Sequence, residues 1–121
     1  MEWTVEDHLR DKPESSVSLF HDFVRLVEVC GPFTYAVAKT TITFKGVRRG
    51  FAGARPTPTG LTGYLDLQRA VEDPRFTSAV PYTKRLYVHH FRLTAPSEMD
   101  SEFAGWVHEA YAVGAGAHLS S

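Results

Sequence analysis

The chain has 121 residues, 43% of them apolar, a net charge of −1 and a single cysteine. A chain of this length buries roughly two-thirds of the surface that its unfolded form exposes, which predicts one domain over residues 1–121 with no disulfide or structural metal to hold it. Cys30 alone excludes an internal disulfide and every multi-cysteine zinc or iron–sulfur arrangement, while an acidic start and the lack of any apolar run near twenty residues read against a secretory signal or a membrane-spanning helix and predict a cytoplasmic protein.

Thr4 to Arg10 predicts a short helical turn capped by Thr4 and anchored by Trp3 and Leu9, cut off by Lys12-Pro13, so that residues 1–14 form an N-terminal arm. From Val17 to Cys30, Val17, Phe20, Val24 and Val27 interleave with Leu19, Phe23, Leu26 and Cys30 at spacings of three and four. That is one broad apolar helix face, with Ser15 or Ser16 as the expected N-cap and Gly31-Pro32 as the stop. The period then changes to two. Phe33 to Val37 and Thr41 to Lys45 read as strands, and Phe51 to Arg55 as the antiparallel return, ended by Pro56 and Pro58. A further strand is predicted at Leu61 to Leu67, a loop or short helix from Gln68 to Ser78, and another strand from Arg85 to Leu93. Phe103, Trp106, Val107, Ala110 and Tyr111 return to helical spacing behind Asp100 or Ser97 as cap, with Gly114 as terminator and residues 115–121 as a fraying tail. The order helix, hairpin-linked strands, helix predicts a two-layer α+β domain, with a mostly antiparallel sheet of four to six strands and both terminal helices on one face.

Charge is distributed unevenly along this plan. Residues 1–32 carry a net −4, residues 33–92 a net +7 and residues 93–121 a net −4. The acids therefore belong to the helices and the bases to the sheet and its rim. If Ile42 and Phe44 face the helices, Lys39, Thr41, Thr43 and Lys45 face the other way, and Thr62, Tyr64 and Asp66 join them opposite Leu61, Leu65 and Leu67. The expected result is an open, polar, cationic sheet face.

The blocks Phe33-Thr34-Tyr35-Ala36-Val37-Ala38-Lys39-Thr40, Ile42-Thr43-Phe44-Lys45-Gly46, Arg49-Gly50-Phe51-Ala52-Gly53-Ala54-Arg55-Pro56, Gly63-Tyr64-Leu65-Asp66-Leu67 and Pro81 to Arg92 resemble a small bacterial family known as a domain of unknown function, family 5655. The likeness spans nearly the whole chain and implies a stand-alone cytoplasmic α+β domain. It extends distantly to small bacterial sheet domains that include proposed iron chaperones of frataxin type, in which an acidic ridge is wanted where this segment is basic. The family brings no established catalytic residue.

Several chemistries fail on spacing. His108-Glu109 opens like a zinc-protease helix, but the position four residues after the histidine is Ala112. His8, His21 and His118 have no ligand-type neighbours in sequence and read as surface residues, and Cys30 reads as core. Gly50-Phe51-Ala52-Gly53-Ala54 lacks the Gly-Lys-Ser/Thr ending and the helix of a phosphate loop. Adjacent His89 and His90 leave a strand on opposite faces and cannot chelate one metal together. They read as hydrogen-bonded structural residues, or one of them as a site residue.

What remains is a set of bases interleaved with tyrosines. The candidate ligand-binding residues are Lys39, Thr41, Lys45, Arg55, Tyr64, Lys84, Arg85, Tyr87 and His89, with Tyr35 and Tyr82 nearby. Cations with aromatics on a sheet hold a phosphate or carboxylate and stack a planar group. The leading expectation is a non-enzymatic binding module for an anionic small molecule or a single-stranded nucleic acid, with no metal or cofactor and no membrane partner. The alternatives are a small enzyme using His89 or His90 as acid/base beside Lys39 or Arg55, and a homodimerising interaction protein.

Overall fold

A computed structural model describes residues 3–83 and 85–117. Two helices open the chain, α1 (Val5–Leu9) and α2 (Glu14–Cys30). Six strands follow: β1 (Thr34–Val37), β2 (Ile42–Lys45), β3 (Gly50–Thr57), β4 (Gly60–Leu67), β5 (Phe76–Thr83) and β6 (Leu86–Leu93). A short 3₁₀ turn at Pro96–Glu98 leads into α3 (Ser101–Gly114). The strands form one antiparallel sheet in the order β1-β2-β3-β4-β6-β5. The chain is therefore α+β: β1 to β4 make a meander, and β6 inserts between β4 and the edge strand β5. No helix among the described residues is long and apolar enough to cross a membrane.

Each helix end has a local cause. Thr4 and Asp7 form a reciprocal capping box on α1, as expected, and Asp100 accepts the Phe103 amide at the start of α3. On α2 the expected serine cap is replaced. The helix begins after Pro13, Ser16 is its third residue, and the buried Ser16 Oγ has no hydrogen-bond partner among the described residues. Proline supplies a preset φ at this boundary but no side-chain acceptor, and its carbonyl accepts the Ser16 amide at 3.0 Å and the Val17 amide at 3.1 Å. At the other end Gly31 adopts φ 145°, a conformation closed to most residues, and an added Cβ would come within 2.5 Å of the Tyr111 hydroxyl. That hydroxyl donates to the Pro32 carbonyl at 2.6 Å, tying the exit of α2 to α3.

Both long helices cover one face of the sheet. Leu19, Phe20, Phe23 and Val27 from α2 and Phe103, Trp106, Val107 and Ala110 from α3 meet Ile42, Phe44, Ala52, Ala54, Leu61, Leu65, Phe91 and Leu93 in a single core. Phe23 sits at its centre, with its ring centroid 5.3 Å from Phe44, 5.6 Å from Phe91 and 6.3 Å from Phe103.

Two boundaries differ from the sequence expectation. Pro56 does not end β3, which continues to Thr57. The short strand β2 opposes β3 only as far as Gly53, so the Pro56 nitrogen has no ladder to complete on that side. The segment expected as a loop or short helix from Gln68 to Ser78 is a loop only to Arg75, and Phe76 begins a sixth strand. Its alternation was obscured because nearly every residue of an edge strand is exposed on both faces. His8, expected at the surface, is buried beside Trp3, with its Nε2 2.7 Å from the Ala38 carbonyl oxygen. His118 lies outside the described residues.

The charge segregation has a structural use that the sequence did not disclose. Arg75, nearly buried, lies 4.7 Å over the Trp106 ring and pairs with Asp73 at 2.8 Å, Asp100 at 2.8 Å and Glu102 at 2.7 Å. Arg69 forms a two-bond pair with Glu109 at 3.0 and 2.8 Å. Two bases of the middle segment thus fasten the loop between β4 and β5 to the acidic helix α3.

Candidate functional site

The register places the open-face side chains in rows across the sheet, because Cα partners on adjacent strands share a face. In the first row Arg55 on β3 pairs with Thr62 on β4, and Thr62 with Arg92 on β6. Two strand spacings put the Arg55 and Arg92 Cα atoms about 10 Å apart, with the threonine hydroxyl between them. Neither guanidinium pairs with a carboxylate among the described residues.

The second row runs Thr43, Gly53, Tyr64, His90, Ser78. Gly53 makes room for the Tyr64 ring, since a Cβ there would overlap its Cε1. The Tyr64 and Thr43 hydroxyls lie 3.4 Å apart, and burial holds the phenol above its ordinary pKa, so it stays a donor. Ser78 Oγ is 3.1 Å from His90 Nδ1, and the His90 ring tilts against Tyr64 at 6.4 Å.

In the third row Asp66 pairs across to Val88 and Val88 to Val80. Asp66 is only 4% exposed. Arg49 donates from Nη2 to Asp66 Oδ2 at 2.9 Å and from Nε to the Gly50 carbonyl at 2.9 Å, and lies 5.7 Å over the Tyr82 ring. Burial raises the Asp66 pKa to about 6, and the attraction of Arg49 offsets part of that rise.

These rows line two adjoining concavities. The larger, about 680 Å³, is bounded by Thr41, Arg55, Thr62, Tyr64, Ser78, His90 and Arg92 among others. The smaller, about 280 Å³, is lined by Arg49, Tyr64, Asp66, Tyr82, Val88 and His90. Tyr64 and His90 belong to both.

Of the residues expected from sequence, Thr41, Arg55 and Tyr64 line the larger concavity. Lys39 stands in the exposed β1–β2 turn, Lys45 at the end of β2 beyond a register shift and Arg85 in the exposed β5–β6 turn, all apart from its walls. Lys84 lies outside the described residues. Tyr87 and His89 point to the helix side, Tyr87 paired with Leu67 and His89 with Leu65. Tyr35 likewise packs edge-on against Phe44.

His89 is fully buried, with its ring 4.8 Å from that of Phe76. Its Nε2 accepts the Val71 amide at 2.9 Å, which places the proton on Nδ1, and Nδ1 donates to the Tyr87 carbonyl at 3.0 Å. Burial holds its pKa below the ordinary value. It therefore pins the β4–β5 loop from inside and does not reach the open face. Of the adjacent pair, His90 is the one at the concavity.

Sequence reasoning omitted Arg92, Ser78 and Arg49 from the site and named Tyr82 only beside it. Alternation from His90 would have placed Arg92 on the open face; the other three depend on the position of β5 and on the β2–β3 turn. Among the described residues no three His, Cys, Asp or Glu side chains cluster closely enough to hold a metal ion.

Residues 5–114 match the family described as a domain of unknown function (DUF5655). The chain belongs to this family. No curated protein and no solved structure matched it. In this DUF5655 domain Gly53 keeps Tyr64 flat on the sheet, so Gly53→Val is expected to displace the ring rather than unfold the chain. A loss of about 1–3 kcal/mol in chemical denaturation should accompany shifted His90 and Thr43 resonances in NMR spectra. Unmoved resonances would show that the ring is not held there.

Proposed function

We propose that this domain is a non-enzymatic binding module whose open sheet face takes a small anionic molecule, in a bacterial cytoplasmic setting. One observation carries the reading: the Arg55–Thr62–Arg92 row sets two guanidiniums, neither paired with a carboxylate among the described residues, around a hydroxyl on the wall of a small-molecule-sized concavity. Such a pair of forks favours a phosphate or carboxylate, each arginine contributing charge-assisted hydrogen bonds. Threonine, serine, tyrosine and histidine around it supply further polar contacts, and the rigid sheet presents them without ordering a loop. The size of the concavity and the net charge of −1 favour a compact ligand over a long polyanion.

Titration with ribose 5-phosphate and with a short oligothymidylate, each at low and at moderate salt, tests this. Saturable binding of the sugar phosphate is expected, weakened by salt and reduced at least about tenfold by the double substitution Arg55→Ala, Arg92→Ala. Absence of binding at low salt, or binding indifferent to the double substitution, would sink the reading. Much tighter binding of the oligonucleotide, with a steep salt slope, would replace the small molecule by a single strand.

A further inference from the structure

We propose that the ligand of this face carries, beyond its anionic group, a flat nitrogen heterocycle whose N–H or amino donor is received by Asp66, as in a nucleoside monophosphate. This rests on the anion-site reading and adds the other end of the ligand to it.

The face has two chemically opposite ends. At one end the Arg55–Thr62–Arg92 row is cationic. At the other end, Asp66 is a buried carboxylate with only one oxygen engaged. Oδ2 accepts from Arg49, whereas Oδ1 has no hydrogen-bond partner among the described residues. Oδ1 is not sealed from solvent, since Ser16 Oγ alone is both buried and unpartnered among the described residues, so it opens to the concavity, where a ligand donor can take the place of water. Asp66 lines the smaller concavity, which opens beside the larger one, so a molecule held by the arginines can extend into it.

Geometry sets the size of such a molecule. Thr62 and Asp66 are four residues apart on β4, about 13 Å of extended chain, which is of the order of a phosphate, a pentose and a base laid end to end. Between them stand Tyr64 and His90, the two rings common to both concavities. An aromatic floor at the middle of the track suits a planar ring, and stacking of this kind is tolerant of which heterocycle is presented.

Electrostatics narrow the class further. A ligand with negative groups at both ends would bring one of them against Asp66, and like charges in a partly desolvated pocket repel. A neutral ring edge bearing N–H groups meets no such barrier. Arg49 also has N–H groups beside Asp66 with no partner among the described residues, so the edge can accept one bond next to the one it donates.

Calorimetric titration with guanosine 5′-monophosphate, whose ring edge carries N–H donors, and with ribose 5-phosphate, which lacks the ring, separates the two ends. The nucleotide is expected to bind at least about tenfold more tightly than the sugar phosphate. Arg55→Ala should weaken both. Asp66→Asn should weaken the nucleotide about tenfold and leave the sugar phosphate unchanged, because Arg49 claims the amide oxygen and turns the amide N–H₂ toward the donor of the ring. Equal affinities in the unsubstituted protein would overturn the proposal while leaving the anion site standing, and this comparison does not depend on any variant folding. Undiminished nucleotide binding by a folded Asp66→Asn protein would also overturn it. Failure of both phosphates to bind would remove the anion reading and this one together.

Discussion

Phe23→Ala is expected to lower the free energy of unfolding by about 4 kcal/mol, a large share of the whole stability of a domain this size. The physical reason is position rather than hydrophobicity alone. Phe23 is wholly buried on α2 and touches rings from three other elements: Phe44 on β2, Phe91 on β6 and Phe103 on α3. Removing it opens a cavity where helix meets helix and helix meets sheet, and no one neighbour can collapse to fill it. Phe23→Leu, which retains most of the volume, should cost less than half as much. Urea denaturation of the two variants against the unsubstituted chain measures both. A loss under about 1 kcal/mol for the alanine variant would show that the core is not organised around this ring.

Asp66 is expected to make the protein less stable as pH rises from about 4 to about 6. The folded carboxyl holds its proton up to about pH 6, whereas an ordinary aspartate gives it up near 3.8. Between those values the folded state binds more protons than the unfolded chain, so raising the pH favours unfolding. A shift of this size corresponds to about 3 kcal/mol. His89 acts in the reverse sense, since burial lowers its pKa and stability is lost as pH falls below its ordinary value of 6.5. The two effects overlap, so the informative quantity is a difference. The stability of Asp66→Asn minus that of the unsubstituted protein should climb across pH 4 to 6 and level off above. A flat difference would mean that Asp66 titrates like an exposed aspartate and that its burial beside Arg49 is relieved in solution.

Much of the site was legible in the sequence at the level of faces. Alternation in Ile42 to Lys45 and in Leu61 to Leu67 assigned Thr43, Thr62, Tyr64 and Asp66 to one side, and these residues do share the open face. The same alternation set Tyr87 and His89 opposite His90 and Arg92. Choosing Tyr87 and His89 for the site followed residue type rather than face, and the fold turns both toward the helices. Lys39, Lys45 and Arg85 were attractive for their charge, but the β1–β2 turn, the end of β2 and the β5–β6 turn lie apart from the walls of the concavity.

The sequence by itself determined the periodic elements: two amphipathic helices, the hairpin strands and the side of the sheet that each alternating residue takes. These depend on neighbours a few positions away, and local spacing encodes them directly. Only the tertiary structure decided which strands lie side by side. That ordering set Arg55, Thr62 and Arg92 in one row, brought Arg49 to Asp66, and divided the basic segment into arginines that anchor α3 and arginines that remain on the open face. Each of those pairings joins residues distant in the chain, and no periodicity within a strand can specify its neighbour across the sheet.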